Sequence, residues 1–181
     1  MLKIEFGCGA NPTKQGFKTC DIRDLPGVDI VCSALDIDQH VAADTVDEIW
    51  SRHFFEHLTF YHGKELLKKW FVILKPGGYC EMMLPNMDYH AQQWLNGARD
   101  LSVPANATDM FRATRSIFGK QREAKTEIWD IHKSGYNKDT LQLIVESCGY
   151  VQYTVLQSKK HLHVGFAKPL ISTDQKTLYQ S

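Results

Sequence analysis

A short apolar segment that runs directly into a glycine-rich loop constrains the fold of this chain more than any other feature. Residues 2–6 predict a buried strand, 7–12 a tight loop, and Asp21 ends the next apolar segment at 16–20. Open α/β sheets bind nucleosides at such turns, because glycines let the backbone approach the ligand and an ionised carboxylate accepts hydrogen bonds from both ribose hydroxyls. The sequence therefore predicts a nucleoside site at the ends of the first two strands.

The spacing around this loop departs from the dinucleotide pattern. A G-x-G-x-x-G fingerprint places a third glycine in the turn and an acid roughly 20 residues further on. Here Pro12 stands at the position of the third glycine, and Asp21 comes too early. The loop is therefore not predicted to bind NAD.

Three segments resemble the class I S-adenosylmethionine-dependent methyltransferases. Their first motif, acid-x-Gly-x-Gly-x-Gly, corresponds to residues 5–11, with Asn11 in place of the last glycine. The segment 46–58 is similar to their fourth strand and its Ser-x-x-x-x-Glu-His-Leu turn. Leu-Lys-Pro-Gly-Gly-Tyr at 74–79 is similar to the turn before their fifth strand.

The resemblance extends over residues 1 to about 90, whereas 135–168 fits it more loosely and 99–130 matches no pattern we know. It implies transfer of a methyl group from S-adenosylmethionine to a small-molecule or saccharide acceptor. The reaction would be a direct displacement at the sulfonium methyl, so the protein mainly has to align the reactants and exclude water.

The predicted fold class is α/β, a three-layer Rossmann-like methyltransferase sheet that is mostly parallel with an antiparallel C-terminal edge hairpin. Apolar residues at helical spacing predict a helix over about 61–74. Alternating apolar residues at 151–155 and 162–166 predict the hairpin. Only residues 10–16 separate the first two strands, which is short for a crossover helix, so the first helices should be shortened or missing.

The resemblance also predicts which residues contact the cofactor and the acceptor. Asp21 would bind the ribose, and either Ser33 or Asp36 would reach the adenine, because the register after the third strand leaves both open. The predicted cofactor-binding residues are Glu5, Gly7, Cys8, Gly9, Asn11, Asp21, Ser33, Asp36, Ser51 and His53. His53 and His132 are the predicted catalytic residues, because histidine titrates near neutral pH and either could orient or deprotonate the acceptor.

Residues 53–57 also spell H-x-x-E-H, a zinc-peptidase signature. That signature needs a helix that presents both histidines on one face, together with a third ligand. Here it follows a predicted strand and lies between two methyltransferase-like segments. The sequence therefore favours a turn at these residues and predicts no metal.

Composition limits the partners and the location of the protein. The formal net charge is zero, with 21 basic and 21 acidic residues, which argues against a nucleic-acid partner. No stretch resembles a signal peptide or a membrane span, and the five cysteines form no C-x-x-C pair, so we expect a cytoplasmic protein. We expect a methyltransferase domain over 1–168 and a flexible C-terminal tail over 169–181.

Other functions stay open at this point. A basic segment over 112–125 would suit an RNA or protein acceptor; its residues are Arg112, Arg115, Lys120, Arg122 and Lys125. The nearby aromatic residues Phe111, Phe118 and Trp129 are interpreted as core. A sheet face without helices would expose apolar surface, which predicts a homodimer or a partner complex unless residues 99–130 fold back over that face. The irregular first motif also allows a non-catalytic subunit that binds S-adenosylmethionine and activates a partner.

Overall fold

A computed structural model of the chain describes residues 1–95, 115–119 and 129–170. These residues form one seven-stranded sheet with the strand order β3-β2-β1-β4-β5-β7-β6. The strands are β1 (Leu2–Phe6), β2 (Lys18–Asp21), β3 (Ile30–Val31), β4 (Val46–Arg52), β5 (Leu74–Pro85), β6 (Val151–Ser158) and β7 (His161–Ala167).

The pairing of the strands confirms the predicted fold class. Strands β3, β2, β1, β4 and β5 are parallel to one another, whereas β7 runs antiparallel to β5 and β6 antiparallel to β7. The predicted C-terminal hairpin is therefore present at one edge, with its turn at residues 159–160. The carboxyl ends of the parallel strands meet along one edge of the sheet, which is where ligands of such sheets bind.

The helices of the described residues begin where the sequence supplies caps. They are α1 (Phe60–Ile73), α2 (Met87–Leu95) and α3 (Lys138–Ser147), with 3-10 helices at Ala34–Gln39 and Phe55–His57. Thr59 caps α1 by accepting a hydrogen bond from the His62 N–H. Asn137 caps α3 in a reciprocal capping box with Thr140, as its position in the sequence predicts.

One face of the sheet carries the hydrophobic core. Successive strand residues point to opposite faces, so every second residue of the central strands lies in the same layer. On this face the strand side chains pack against α1 and α3, and the indole of Trp70 lies 5.0 Å from the ring of Phe6. The buried strand residues of this core are Ile4, Phe6, Cys20, Val46, Ile49, Leu74, Cys80, Met82, Leu84, Leu162, Val164 and Phe166.

The opposite face of the central strands is polar. No α-helix lies between β1 and β2, and residues 7–17 connect them as a loop, as the short spacing predicts. Lys3 pairs with Glu48 across this face, and Lys14 reaches Glu81 while its Nζ lies 4.3 Å from the centre of the Trp50 ring. The expectation of an exposed apolar face is therefore wrong for these strands, because half-buried ion pairs cover it instead.

Two element boundaries differ from the sequence-based expectation. Strand β3 has two residues, whereas the apolar segment 28–32 would allow a strand of five. Strand β5 begins at Leu74, because Leu74 pairs with Val46 before the chain bulges and pairing resumes at Tyr79. The tail beyond residue 170 and the segments 96–114 and 120–128 lie outside the described residues. Among the helices of the described residues, none has the length and apolar character that crossing a membrane requires.

Candidate active site

Two adjoining cavities open at the carboxyl ends of the strands. The loop cavity, about 280 Å³, lies beside Gly7, Asp21, Ser33 and Leu35. The histidine cavity, about 530 Å³, is lined by five of the eight histidines of the chain together with Glu56; the five are His53, His57, His90, His132 and His161. His53, His57 and Asp130 line both cavities, so the two spaces meet at these side chains.

Asp21 ends β2 with a carboxylate that is almost fully buried. Its Oδ2 accepts the Gly9 N–H at 2.8 Å, and its Oδ1 accepts the backbone N–H and the Nε–H of Arg23, both at 3.0 Å. Burial alone would raise the pKa of Asp21, but the hydrogen bonds from Arg23 and Gly9 prevail and hold it below its usual value. The carboxylate is therefore an ionised acceptor at the wall of the loop cavity.

Glu5 is buried at the end of β1, where it anchors the following loop. Both of its carboxylate oxygens accept the Thr13 N–H at 2.9 Å, Oε1 also accepts the Thr13 hydroxyl, and Oε2 accepts the Lys14 N–H. Glu5 does not line the loop cavity. The contacts of Glu5 therefore support a role in ordering the loop rather than the predicted contact with the cofactor.

Phe54 occupies the space beside Gly7. A Cβ on Gly7 would lie 2.4 Å from the Phe54 ring, and Gly7 has a φ of 66°, a conformation that strains other residues. The close approach that requires glycine here is therefore made by a side chain from the turn after β4. At Gly9 the nearest neighbour of a Cβ would be the Arg23 guanidinium, at 3.2 Å.

The remaining predicted cofactor residues divide between the cavity and its surroundings. Ser33 lines the loop cavity and caps the first 3-10 helix through a hydrogen bond from the Leu35 N–H. His53 lines both cavities and has a φ of 50°, an unusual backbone conformation for a side chain of its size. The other predicted residues lie outside the cavity walls; besides Glu5 they are Cys8, Gly9, Asn11, Asp36 and Ser51.

Sequence reasoning missed the apolar walls of the loop cavity. Ile22 follows Asp21 with 48% of its surface exposed, and Leu35 lines the same cavity. An exposed aliphatic residue directly after a strand-end acid was the signal available for Ile22. Trp129 also lines this cavity with 43% of its surface exposed, so its interpretation as a core residue is wrong.

Phe118 is likewise 40% exposed rather than in the core, whereas Phe111 lies outside the described residues. Of the basic segment 112–125, Arg115 is described and lines the histidine cavity. Arg112, Lys120, Arg122 and Lys125 lie outside the described residues.

The two predicted catalytic histidines meet in the histidine cavity around Glu56. The carboxylate of Glu56 is 1% exposed, and its Oε1 lies 3.2 Å from the Nδ1 of His53 and 4.0 Å from the Nε2 of His132. The ring of His57 packs edge-on against that of His132, with their centres 5.0 Å apart. Residues 55–57 form a 3-10 helix after a strand, so H-x-x-E-H does not take the helical form of a zinc peptidase here.

Burial lowers the pKa of three histidines of the cavity, His90, His132 and His161. Desolvation lowers the pKa of His132, and the charge of Glu56 only partly opposes it. Desolvation also lowers the pKa of His161, and the charge of His53 adds to that effect. Desolvation also lowers the pKa of His90, and the hydrogen bond from its Nε2 to the Lys160 carbonyl only partly opposes this. These rings are neutral at neutral pH, so each presents a nitrogen lone pair.

Known proteins share both the family and the fold of this chain. A family model described as "Methyltransferase domain" matches residues 3–117. No curated protein sequence matches significantly. Among solved structures, S-adenosylmethionine-dependent methyltransferases from Methanosarcina mazei and Thermotoga maritima are similar, at 12% and 10% identity and TM-scores of 0.60 and 0.62. The alignments cover 94% and 92% of this chain and 93% and 81% of those chains.

A third similar structure is a 1,6-didemethyltoxoflavin-N1-methyltransferase from Burkholderia thailandensis with bound 1,6-didemethyltoxoflavin and S-adenosylhomocysteine. It is 10% identical with a TM-score of 0.59, and the alignment covers 93% of this chain and 71% of that one. The family match over more than half of the chain shows that this protein belongs to the methyltransferase-domain family. It is an S-adenosylmethionine-dependent methyltransferase, with the Rossmann-like sheet predicted from its sequence.

The residues of the loop cavity fit S-adenosylmethionine. The ionised, buried carboxylate of Asp21 could accept hydrogen bonds from ribose hydroxyls, and Ile22 and Leu35 give the cavity apolar surface that would suit an adenine. Arg23 occupies two of the acceptor positions on Asp21, and its side chain is 41% exposed. Ribose binding at Asp21 thus requires Arg23 to share or release that carboxylate.

Proposed function

We propose that this protein methylates a small-molecule or saccharide acceptor that binds in the histidine cavity. The observation that carries the proposal is the junction of the two cavities at His53 and His57. A cofactor held at Asp21 on one side and an acceptor held among the histidines on the other would meet there. Such a junction suits direct displacement, which depends on the alignment of donor and acceptor.

The size of the histidine cavity favours a small acceptor. Its volume of about 530 Å³ lies within the range of about 300–1,000 Å³ typical of small-molecule sites. Its walls combine imidazoles with the cations of Arg115 and Lys160, which suit an acceptor rich in hydroxyls or bearing an anionic group. A saccharide or another polyhydroxylated molecule fits this lining.

The residues around the cavities would each have a defined role. Asp21 would bind the ribose hydroxyls, and Ser33, at the cavity wall, would contact the adenine end. His53 and His132 would contact the acceptor, and His57 would close the wall between the two spaces. When bound, S-adenosylmethionine supplies an electrophilic methyl group on a sulfonium.

An acceptor screen tests this function. Purified protein is incubated with S-adenosylmethionine and a panel of sugars, nucleotide-sugars and phenols, and S-adenosylhomocysteine is quantified by mass spectrometry. We expect turnover with a hydroxyl-bearing small molecule and loss of turnover in Asp21→Asn. Salt-sensitive turnover with RNA but none with small molecules would point instead to an RNA acceptor. Cofactor binding without turnover, together with co-purification of a second protein, would point to a non-catalytic subunit.

A further inference from the structure

The acid at the centre of the histidine cavity lacks a partner for one of its oxygens. Glu56 is 1% exposed, and among the described residues nothing donates a hydrogen bond to its Oε2. Its Oε1 is held by the Nδ1 of His53 at 3.2 Å. A buried carboxylate oxygen without a donor is costly, and such groups usually have a role or a bound ion as partner.

Two histidines lie close to the Glu56 carboxylate at a spacing that suits metal ligands. One ligand atom from each of Glu56, His57 and His132 lies within 4.8 Å of the other two. Ligands that bind a metal at about 2.0–2.2 Å lie roughly 3–4 Å from one another, so small side-chain rotations would bring these three atoms into contact with one ion. The three residues come from the turn after β4 and from the segment before α3, which the fold brings together.

Hydrogen bonds already orient both imidazoles. The Nδ1 of His57 donates to the Ile131 carbonyl at 3.1 Å, so its Nε2 carries the lone pair. His132 is hydrogen-bonded to the backbone at Ser116 and Ile117, while its Nε2 faces Glu56. Metal-binding histidines characteristically donate their second ring nitrogen to a carbonyl in this way, which fixes the tautomer and the ring orientation.

We propose that Glu56, His57 and His132 bind a divalent transition-metal ion, and that His53 is a positioning residue that orients Glu56. Two imidazole nitrogens and one carboxylate oxygen are a ligand set suited to Zn²⁺, Mn²⁺, Co²⁺ or Fe²⁺. The positive ion also compensates the buried charge of Glu56. This proposal departs from the sequence-based prediction that the chain binds no metal.

The ion's role in catalysis rests on the proposed function, whereas its binding does not. Three protein ligands leave a coordination position open toward the histidine cavity, where an acceptor hydroxyl would bind. Coordination favours loss of the hydroxyl proton to water. The oxygen then forms a bond to the methyl carbon, the carbon–sulfur bond breaks, and its electron pair stays on sulfur. The acceptor class is therefore a hydroxyl compound, activated by the ion rather than by a free histidine.

Metal titration of the chelator-treated protein tests the site directly. Calorimetry with Zn²⁺ and Mn²⁺ should show one ion per chain, and Co²⁺ should give visible d–d absorption without thiolate charge-transfer bands. Glu56→Gln, His57→Ala and His132→Ala should abolish that binding. His53→Ala should weaken it by about 10- to 100-fold. The control is His62→Ala, which removes an exposed histidine of α1.

Each outcome bears on a different part of the proposal. Binding of S-adenosylhomocysteine and the unfolding temperature show whether each variant is folded, and Glu56→Gln preserves the shape of the side chain. Wild-type protein that binds no ion, or folded ligand variants that bind it as tightly, would overturn the site. Undiminished methyl transfer after removal of the metal by a chelator would be compatible with the metal site but would overturn the ion's role in catalysis. Metal binding without cofactor binding would contradict the proposed function and leave the site intact.

Discussion

The carboxylate of Asp21 accepts a hydrogen bond from the backbone N–H of Gly9 at 2.8 Å, which ties the end of β2 to the loop after β1. A second link joins the same elements, because the Gly7 N–H donates to the Cys20 carbonyl at 2.9 Å. The strand-end acid thus shapes the binding loop as well as offering charge to a ligand. Both functions come from one buried side chain.

Replacement of Asp21 by Asn should weaken cofactor binding. The charged acceptor for the ribose hydroxyls is lost, and hydrogen bonds to charged groups contribute about 1.5–3 kcal/mol each, so affinity should fall by roughly 10- to 100-fold. Titration calorimetry with S-adenosylmethionine, S-adenosylhomocysteine and NAD measures the effect, and NAD should not bind. Asp24→Asn is the matched control, because Asp24 is an exposed acid three residues away. Equal affinities in the Asp21 variant and the wild type would remove Asp21 from the site.

Truncation of Arg23, unlike replacement of Asp21, should not weaken cofactor binding. Its guanidinium occupies the Asp21 carboxylate that the ribose needs, with the Nε 3.0 Å from Oδ1. Arg23→Ala should therefore leave the affinity for S-adenosylhomocysteine unchanged or raise it. A large fall in affinity, measured by the same calorimetry, would show that Arg23 itself holds the cofactor.

Alanine at Gly7 should damage the loop more than alanine at Gly16. Both glycines have positive φ, at 66° and 77°, and a non-glycine residue in that region costs roughly 1–2 kcal/mol. A Cβ at Gly7 would also collide with Phe54, whereas nothing lies within 4 Å of a Cβ at Gly16. Urea unfolding should show the larger loss of stability for Gly7→Ala. Equal losses would mean that Phe54 moves aside freely.

Glu5→Gln should loosen the loop between β1 and β2. An amide leaves one acceptor oxygen where the carboxylate had two, so the hydrogen bonds to Thr13 and Lys14 cannot all persist. The expected loss of stability is about 1–3 kcal/mol. The control Glu65→Gln removes a partly exposed acid paired with Lys68 and should change the urea midpoint little. Similar midpoints for both variants would contradict the anchoring role.

The homodimer inferred from the sequence stays a prediction, but its expected chemistry changes. The polar face of the sheet carries pairs such as Lys3–Glu48 and Lys14–Glu81 rather than an apolar patch. A dimer through this face would be held by charges, which salt screens. Sedimentation at low and high ionic strength should show dissociation at high salt. A dimer that persists in high salt must use another surface.

Features that depend on residues close together in the sequence could be predicted. Strand, loop and acid follow one another within about twenty residues, so the place of Asp21 could be predicted, as could the Asn137 cap of α3. Contacts between residues that are far apart in the sequence could not be predicted. The packing of Phe54 on Gly7 and the meeting of Glu56 with His132 depend on how turns approach one another in space. The polar character of the sheet face was not predicted, because a face without helices was expected to expose apolar side chains.

The position of the transferable methyl group tests the central claim most directly. Protein is saturated with S-adenosylmethionine that carries a ¹³C-labelled methyl group, and nuclear Overhauser contacts from that methyl to histidine ring protons are recorded by NMR. Cofactor bound at Asp21 with its methyl directed at the cavity junction predicts contacts with His53 and His57, and none with His62, which is exposed on α1. Single-histidine variants assign each signal. A tightly bound cofactor whose methyl contacts neither His53 nor His57 would contradict the account.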